Sequence, residues 1–305
     1  MNHIEFNRTQ VIKYLILTFS LAYLIQIGVW LLFKSGYAVI GQLVMALMMF
    51  VPTLGVLFSG HGIKRVGWNP KIKKNIRLIL IAWLFPAVLA AAGAALYFLI
   101  FPGHLDLSGG YLSASSGTDI VPVLEEQGIT YPLYVLISLV CSITYAPLLN
   151  AITGLGEEIG WRGFLYPQLK KRFGRTKGWL LGGVIWGMWH WPLIWLIGYE
   201  YGAAAGNAAG YFGAPVTGMI VFCVFTVALG ILCDWLYERS GSIWLPSVCH
   251  GAVNAVFGIP LMICLTDTGS ARLLGPAPNG LIAGIPLIIT AVILLLRGKR
   301  EDTVV

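Results

Sequence analysis

Three ionisable side chains stand close together at Glu157, Glu158 and Arg162, within a stretch that is otherwise apolar. Charged groups in an apolar environment are costly, and proteins keep them there mainly in pairs or at functional sites. Glu158 and Arg162 are four residues apart, so on a helix they share one face and can form an ion pair. Glu157 points about 100° away from that face, because a helix turns once every 3.6 residues. With no obvious partner nearby, its carboxylate suits a general base, and a purely structural charge cluster is the alternative.

Two further sets of polar residues follow in the second half of the chain. His250 and Asn254 are also four residues apart, so they can offer two hydrogen-bond donors to one oxygen atom. A developing oxyanion in a water-poor site needs such donors, although the same pair could serve only to hold two helices together. His190 stands among tryptophans and could be either a site residue or a buried histidine of the core.

The elements that must position these residues are helices in a membrane. The chain has 305 residues, of which 57% are hydrophobic and only 11% are charged, and its mean hydropathy is +0.79. Soluble domains carry about 25% charged residues, so the composition indicates an integral membrane protein. Its apolar stretches are continuous rather than alternating, which predicts membrane-spanning helices. Eight such stretches are predicted spans: 14–33, 38–58, 78–101, 131–156, 179–198, 214–236, 243–265 and 280–296. The expected fold is therefore all-α, a polytopic transmembrane helix bundle in a single domain of residues 1–305.

Basic residues are concentrated in alternate connections of this bundle. Lysine and arginine are frequent in residues 61–77, 167–178 and 297–300, whereas the loops between them carry more acidic residues. The positive-inside rule predicts that the basic loops and both termini are cytoplasmic, in a multi-pass protein of the cell membrane. The net charge of +7 is therefore interpreted as a topology signal, with membrane lipids rather than nucleic acid as partners.

The three polar sets lie at similar depths within the predicted bundle. Glu158, His190 and His250 are separated from nearby basic residues by 12, 13 and 11 positions. At 1.5 Å per helical residue, each lies roughly 15–20 Å from the basic side of the membrane. We expect the sets to converge around one cavity that opens toward the cytoplasm.

Two other groups of residues are predicted to have structural rather than catalytic roles. Asp234, Glu238 and Arg239 lie at a predicted membrane boundary, where their spacing is typical of a solvated helix end. The five cysteines are dispersed within the predicted spans, which indicates packing residues rather than a disulfide framework. Cys249 adjoins His250, but neighbours on a helix point about 100° apart and make a poor nucleophile–base pair.

The order and spacing of the polar residues resemble the CPBP family of intramembrane proteases. That family includes the type II CAAX prenyl endopeptidases, called Rce1-like, and the bacterial Abi-type proteins. Its motif E-E-x-x-x-R corresponds to Glu157, Glu158 and Arg162, and its motif H-x-x-x-N corresponds to His250 and Asn254. Its motif F-x-x-x-H corresponds to residues 186–190, where Trp186 replaces the phenylalanine and His190 is kept. The resemblance covers roughly residues 145–260, which are the predicted catalytic core.

The resemblance implies an intramembrane endopeptidase that uses a glutamate-activated water. In that mechanism Glu157 activates the water with help from His190, while His250 and Asn254 stabilise the oxyanion. Glu158 and Arg162 support the site. The implied substrate is a peptide or a lipidated protein, cleaved near the cytoplasmic leaflet, and just after the lipidated cysteine if it is prenylated.

The sequence allows alternatives on two points, the use of a metal and the class of function. Glu157, His190 and His250 could hold zinc as a His₂Glu site with an open position. However, the chain contains no H-E-x-x-H motif, and a glutamate-activated water needs no bound metal. A non-catalytic membrane immunity or regulatory protein of the same fold is the alternative function. A transporter with a polar midplane site is another, but the chain has no obvious internal repeat to support it.

Overall fold

The computed structural model of the protein describes residues 5–202 and 210–302. Within those ranges the chain is built from helices and forms no strands, which confirms the all-α prediction. The α-helices are α1 Arg8–Lys34, α2 Ala38–Met48, α3 Val51–Phe58, α4 Ile72–Ile100, α5 Gly110–Ser116, α6 Ile120–Glu126, α7 Tyr131–Thr144, α8 Ala146–Gly160, α9 Tyr166–Phe173, α10 Arg175–Trp189, α11 Trp191–Ile197, α12 Val216–Ser240, α13 Trp244–Val256, α14 Ile259–Met262 and α15 Ile285–Asp302. Two 3₁₀ turns at Pro102–His104 and Gly269–Leu273, and a π-helix at Trp161–Leu165, complete these elements.

Five to seven stretches of helix in the described ranges can cross a membrane by their length and composition. Five are continuous or nearly so: α1, α4, α10 with α11, α12, and α13 with α14. Two bent pairs, α2 with α3 at 41° and α6 with α7 at 91°, raise the number to seven if each is one span. The chain is thus a helical membrane protein, while the count of eight spans and the cytoplasmic termini stay predictions.

The predicted span 131–156 differs most from the observed helices, because it divides at Tyr145 into α7 and α8. Pro147 has no backbone N–H, so it cannot bond to the carbonyl of Ile143 as a helical residue would. The indole N–H of Trp83 on α4 donates to that carbonyl instead, over 2.7 Å. The two glutamates therefore lie at the end of a separate 15-residue helix, α8.

Glycines on α8 let the break between α2 and α3 approach the glutamates. A Cβ atom added at Gly156 would lie 2.7 Å from the carbonyl oxygen of Met49 and 2.9 Å from Cα of Phe50. The Thr53 hydroxyl also donates to the Gly156 carbonyl, over 2.6 Å. At Gly160 an added Cβ would overlap Pro52. Gly156 and Gly160, four residues apart, therefore form a G-x-x-x-G step that lets α8 pack closely against the segment between α2 and α3.

A buried charge network joins α9 and α10 to α12, so the prediction of a solvated helix end is wrong for Asp234. Its side chain is fully buried, and it binds both the Lys170 ammonium and the indole N–H of Trp179, the latter over 2.5 Å. Glu238 accepts hydrogen bonds from Lys170 at 2.8 Å and from Arg175 at 2.7 Å. Lys170 comes from the basic loop of residues 167–178, which packs against the bundle and supplies the missing partner.

The connection after α11 turns an acidic side chain toward the interior. Gly198, Glu200 and Gly202 all have left-handed backbone conformations, with φ angles of 69°, 66° and 65°. For a residue with a side chain this conformation costs about 1–2 kcal/mol. Burial raises the pKa of Glu200 to about 7, although a hydrogen bond with Tyr199 acts in the opposite direction. Residues 203–209 of the predicted outer loop 199–213 lie outside the described residues.

Replacing Gly156 with alanine is expected to destabilise the protein by about 1–3 kcal/mol, because the added methyl group meets backbone atoms that cannot rotate away. Reversible unfolding in detergent would measure the difference. Gly28→Ala on α1 is the matched control, since an added Cβ there has no neighbour within 4 Å in the described structure. We expect that variant to be neutral or slightly stabilised. Equal stability of the two variants would contradict the close approach at Gly156.

The stability of the protein is expected to fall as the pH rises from about 5 through 7, because Glu200 is held in its protonated form in the folded state. The pKa of Glu200 is about 7 in the folded protein, above its ordinary value of 4.5, so the folded state binds the proton more tightly. Thermal unfolding midpoints across this range would measure the loss. Glu200→Gln cannot titrate and should show a flatter dependence, whereas an equally steep fall in the variant would contradict the assignment.

Candidate active site

The end of α8 holds a fully buried ion pair. Nη1 of Arg162 donates to Oε1 of Glu158 over 2.9 Å, and neither side chain is exposed. The pair predicted from the four-residue spacing is therefore present. The helix widens into the π-helix immediately after Gly160, so Arg162 lies in a turn of a kind that recurs at functional sites.

Aromatic rings hold the remaining surface of the Arg162 guanidinium. Its central carbon lies 4.8 Å from the ring centre of Tyr166 and 4.3 Å from that of Trp186. A cation over an aromatic face is stabilised by the ring's quadrupole, by about 2 kcal/mol where water is excluded. The positive charge of Arg162 is thus balanced by one carboxylate and two rings without contact with water.

Glu157 has two local partners, which corrects the expectation that it has none. The indole N–H groups of Trp161 and Trp186 both donate to Oε2 of Glu157, over 3.0 Å and 2.7 Å. Trp161 is four residues after Glu157, and Trp186 comes from α10. Oε1 of Glu157 accepts no hydrogen bond from the described residues, and the side chain lines the central cavity. One carboxylate oxygen is therefore held by neutral donors while the other is left for chemistry.

His250 is oriented by the second glutamate. Its Nδ1 lies 2.9 Å from Oε1 of Glu158, and since a carboxylate only accepts, Nδ1 carries the proton. Nε2, on the other side of the ring, is left for the cavity that His250 and Asn254 both line. Glu158 thus supports Arg162 and His250 through the same oxygen atom.

His190 is oriented by the backbone at the end of α10. Its Nδ1 lies 3.0 Å from the carbonyl oxygen of Trp186, and a carbonyl only accepts, so Nδ1 again carries the proton. In the neutral ring Nε2 is then an acceptor. The rings of Trp189 and Phe222 hold the imidazole from two sides, with centroids 4.8 Å and 4.9 Å away. A neutral His190 can therefore accept a hydrogen bond from a water in the cavity.

One cavity of about 740 Å³ brings together four of the predicted site residues, Glu157, His190, His250 and Asn254. The predicted convergence is therefore confirmed, and the buried Glu158–Arg162 pair supports the wall from behind. Most of the other lining residues are apolar, and they come from α2, α8, α10, α11 and α12 and from the segments that follow α11 and α13. The other lining residues are Gln42, Met45, Ala46, Met48, Met49, Asn150, Thr153, Trp186, Trp189, Leu193, Tyr199, Glu200, Phe222, Phe225, Thr226, Leu229, Phe257 and Gly258.

The lining also includes residues far from the basic loops. Asn150 on α8, Glu200 after α11 and Gly258 after α13 each lie farther along the chain from the basic connections than the catalytic candidates do. The predicted opening of the cavity toward the cytoplasm stays a prediction.

The residues proposed as metal ligands are not gathered into a ligand set. Among the described residues, no group of three or more His, Cys, Asp or Glu side chains is arranged to hold a metal ion. The arrangement does not fit a His₂Glu zinc centre, and no step of the reaction is derived through a metal.

Sequence reasoning missed three residues of this site. Trp161 could have been found, because it stands four residues after Glu157 and the same spacing identified Arg162 as the partner of Glu158. Trp186 stands out in the sequence only as a replacement for phenylalanine. Its contact with Glu157 depends on how α10 packs against α8, which the spacing of residues does not predict. Glu200 carries no spacing signal, since it lies in an irregular connection.

Comparisons with known proteins agree with this geometry. The sequence model of the type II CAAX prenyl endopeptidase Rce1-like family matches residues 138–256, a range that contains all six predicted site residues. The chain is also 27% identical over 261 residues to CAAX prenyl protease 2 of Methanococcus maripaludis. The aligned region covers 79% of this chain and 81% of that protein. These comparisons support the resemblance found in the sequence: residues 138–256, which carry the motifs that meet at the cavity, are similar to the Rce1-like group of the CPBP family of intramembrane proteases.

Proposed function

We propose that the protein is an endopeptidase that hydrolyses a peptide bond within the membrane, using water activated by Glu157. The observation that supports this proposal is the position of Glu157. Two indoles bind one of its carboxylate oxygens, and its side chain lines a cavity shared with His190, His250 and Asn254. A base, a hydrogen-bond acceptor and two groups suited to an oxyanion are the parts that amide hydrolysis needs.

The first step is attack by water on the carbonyl carbon of the substrate. Oε1 of Glu157 accepts a proton from the water, and Nε2 of His190 accepts the second hydrogen bond and orients the molecule. The water oxygen then forms a bond to the carbonyl carbon, and the carbonyl oxygen becomes an oxyanion. The proton held by Glu157 passes to the amide nitrogen as the carbon–nitrogen bond breaks, which returns the glutamate to its ionised form.

The oxyanion is stabilised by His250 and Asn254. The Asn254 amide donates directly, whereas His250 can donate from Nε2 only as an imidazolium, because Nδ1 already donates to Glu158. The Glu158 carboxylate stabilises that imidazolium, which gives the second glutamate a role in the chemistry beyond its pairing with Arg162. Donors of this kind in a water-poor site contribute about 10²–10³-fold to the rate.

The substrate class we propose is a peptide or protein with a CAAX carboxy terminus, cleaved after its lipidated cysteine. This part rests on the relative named CAAX prenyl protease 2 and on the largely apolar wall of the cavity, which suits lipid and aliphatic side chains. Glu157 lies in the part of the cavity nearest the basic loops. A bond cleaved at its depth is therefore on the side of the predicted cytoplasmic leaflet of the cell membrane.

Glu157→Ala is expected to lower the rate of peptide cleavage by about 10²–10⁴-fold, because the variant lacks the general base. Purified protein would be tested against a peptide library that includes a farnesylated CAAX peptide, the same peptide without the lipid, and leader peptides. Mass spectrometry of the products identifies both the substrate and the bond that is cut.

Glu125→Gln is the matched control, since it removes an exposed carboxylate near the end of α6, outside the cavity, and should cleave at the wild-type rate. A Glu157→Ala protein that cleaves as fast as wild type would refute the proposed mechanism. A biological activity retained in full by Glu157→Gln would instead favour a non-catalytic immunity or regulatory role.

Peptide cleavage is expected to persist after exhaustive treatment with zinc chelators, because Glu157 and His190 activate water without a Lewis acid in this mechanism. The rate would be compared before and after chelation, with residual metal determined by mass spectrometry. Loss of activity on chelation, with recovery on adding zinc, would contradict the metal-free mechanism and restore the His₂Glu alternative.

A further inference from the structure

We propose that Trp186 is a positioning residue that fixes the orientation of the Glu157 carboxylate and aims its free oxygen at the substrate. The inference rests on the proposed function of Glu157 as general base, and it assigns a role to a residue outside the six predicted ones. Trp186 is buried, and its indole N–H donates to Oε2 of Glu157 over 2.7 Å. A hydrogen bond to a charged acceptor is about twice as strong as one between neutral groups.

Two indoles fix the carboxylate better than one can. Trp161 comes from the same turn of chain as Glu157, so its bond alone lets the glutamate move with its own helix. Trp186 comes from α10 and ties the same oxygen to a second helix. With Oε2 held from both helices, rotation of the carboxylate is restricted, and Oε1 is the atom left toward the cavity.

Trp186 also contacts the other members of the site. Its ring centre lies 5.3 Å from that of His250 and 6.5 Å from that of His190, and its carbonyl accepts the Nδ1–H of His190. The guanidinium of Arg162 lies over the ring at 4.3 Å. One side chain thus contacts the base, both histidines and the supporting arginine.

The backbone that carries Trp186 is fixed by close packing of α10 on α12. A Cβ atom added at Gly187 would lie 2.6 Å from Sγ of Cys223 and 2.7 Å from Oγ1 of Thr226. The Thr226 hydroxyl donates to the Gly183 carbonyl over 2.9 Å. This packing places the indole at a defined distance from α8, as a positioning role requires.

The substitution Trp186→Phe tests the contribution of the hydrogen bond separately from that of the ring contacts. It keeps an aromatic face for Arg162 and the histidines and removes only the indole N–H. The ionisable groups that act electrostatically on or beside Glu157 remain unchanged: Glu158 and Arg162 on its own segment, Tyr14 on α1, His190 and Tyr199 from α10 and the connection after α11, and His250 on α13.

The activity test compares kcat and KM of wild type and Trp186→Phe with the farnesylated CAAX peptide. With one of its two indole bonds removed, the Glu157 carboxylate can turn away from its productive orientation, so we expect kcat to fall about tenfold. KM for the peptide should stay unchanged, because the N–H group that is removed is bound to Glu157.

Trp179→Phe is the matched control, because it removes an indole bond to another buried carboxylate, Asp234, outside the cavity. It should lower stability without changing kcat. A kcat of Trp186→Phe that equals those of wild type and Trp179→Phe would overturn the inference while leaving the function of Glu157 intact.

A second measurement needs neither activity nor a folded Trp186→Phe protein. Of the 11 indole ¹⁵N–¹H signals of the wild type, two should move when Glu157 is replaced by glutamine, which is isosteric but uncharged. If fewer than two signals move, the arrangement of two indoles on one carboxylate, on which the inference rests, is absent and the inference is wrong. If wild type cleaves no peptide, the proposed function fails, while these signals still report on the contact.

Discussion

The cost of burying the Glu158 carboxylate is the constraint on which the site depends. Its Oε1 is shared by Arg162 and His250, and both the glutamate and the arginine are fully buried. Removing one member of such a group leaves an unbalanced charge, at a cost of about 3–5 kcal/mol. The π-helix that carries Arg162, the face of α13 that carries His250 and the glycines that admit Met49 and Phe50 are all arranged around this group.

Adjacent glutamates take different roles because their partners differ in charge. Glu158 is held by a cation and by an imidazole that can become one, so its negative charge is neutralised locally. Glu157 is held by two neutral indoles, which orient the carboxylate without placing a positive charge on it. An orientation without a contacting cation suits the general base that we propose for Glu157.

Helical spacing was sufficient to predict the polar pairs, since the Glu158–Arg162 contact depends only on the geometry of one turn. It also predicted that Glu157, His190, His250 and Asn254 meet in one cavity, because equal depth on neighbouring helices implies proximity. Features set by packing between distant segments could not be predicted in this way. The bond from Trp186 to Glu157, the break before α8 that Trp83 accommodates, and the burial of Asp234 by Lys170 all belong to this class.

The two glutamates differ in the same way in their access to the cavity. Glu157 lines it, together with apolar side chains and Glu200, whereas Glu158 and Arg162 are fully buried and do not line it. An ion pair needs this dry environment, because water would weaken the attraction between its charges. A general base needs the opposite, since it must reach a water molecule and the substrate. The free oxygen of Glu157 thus lies between a buried charge cluster and the volume that we propose for the substrate.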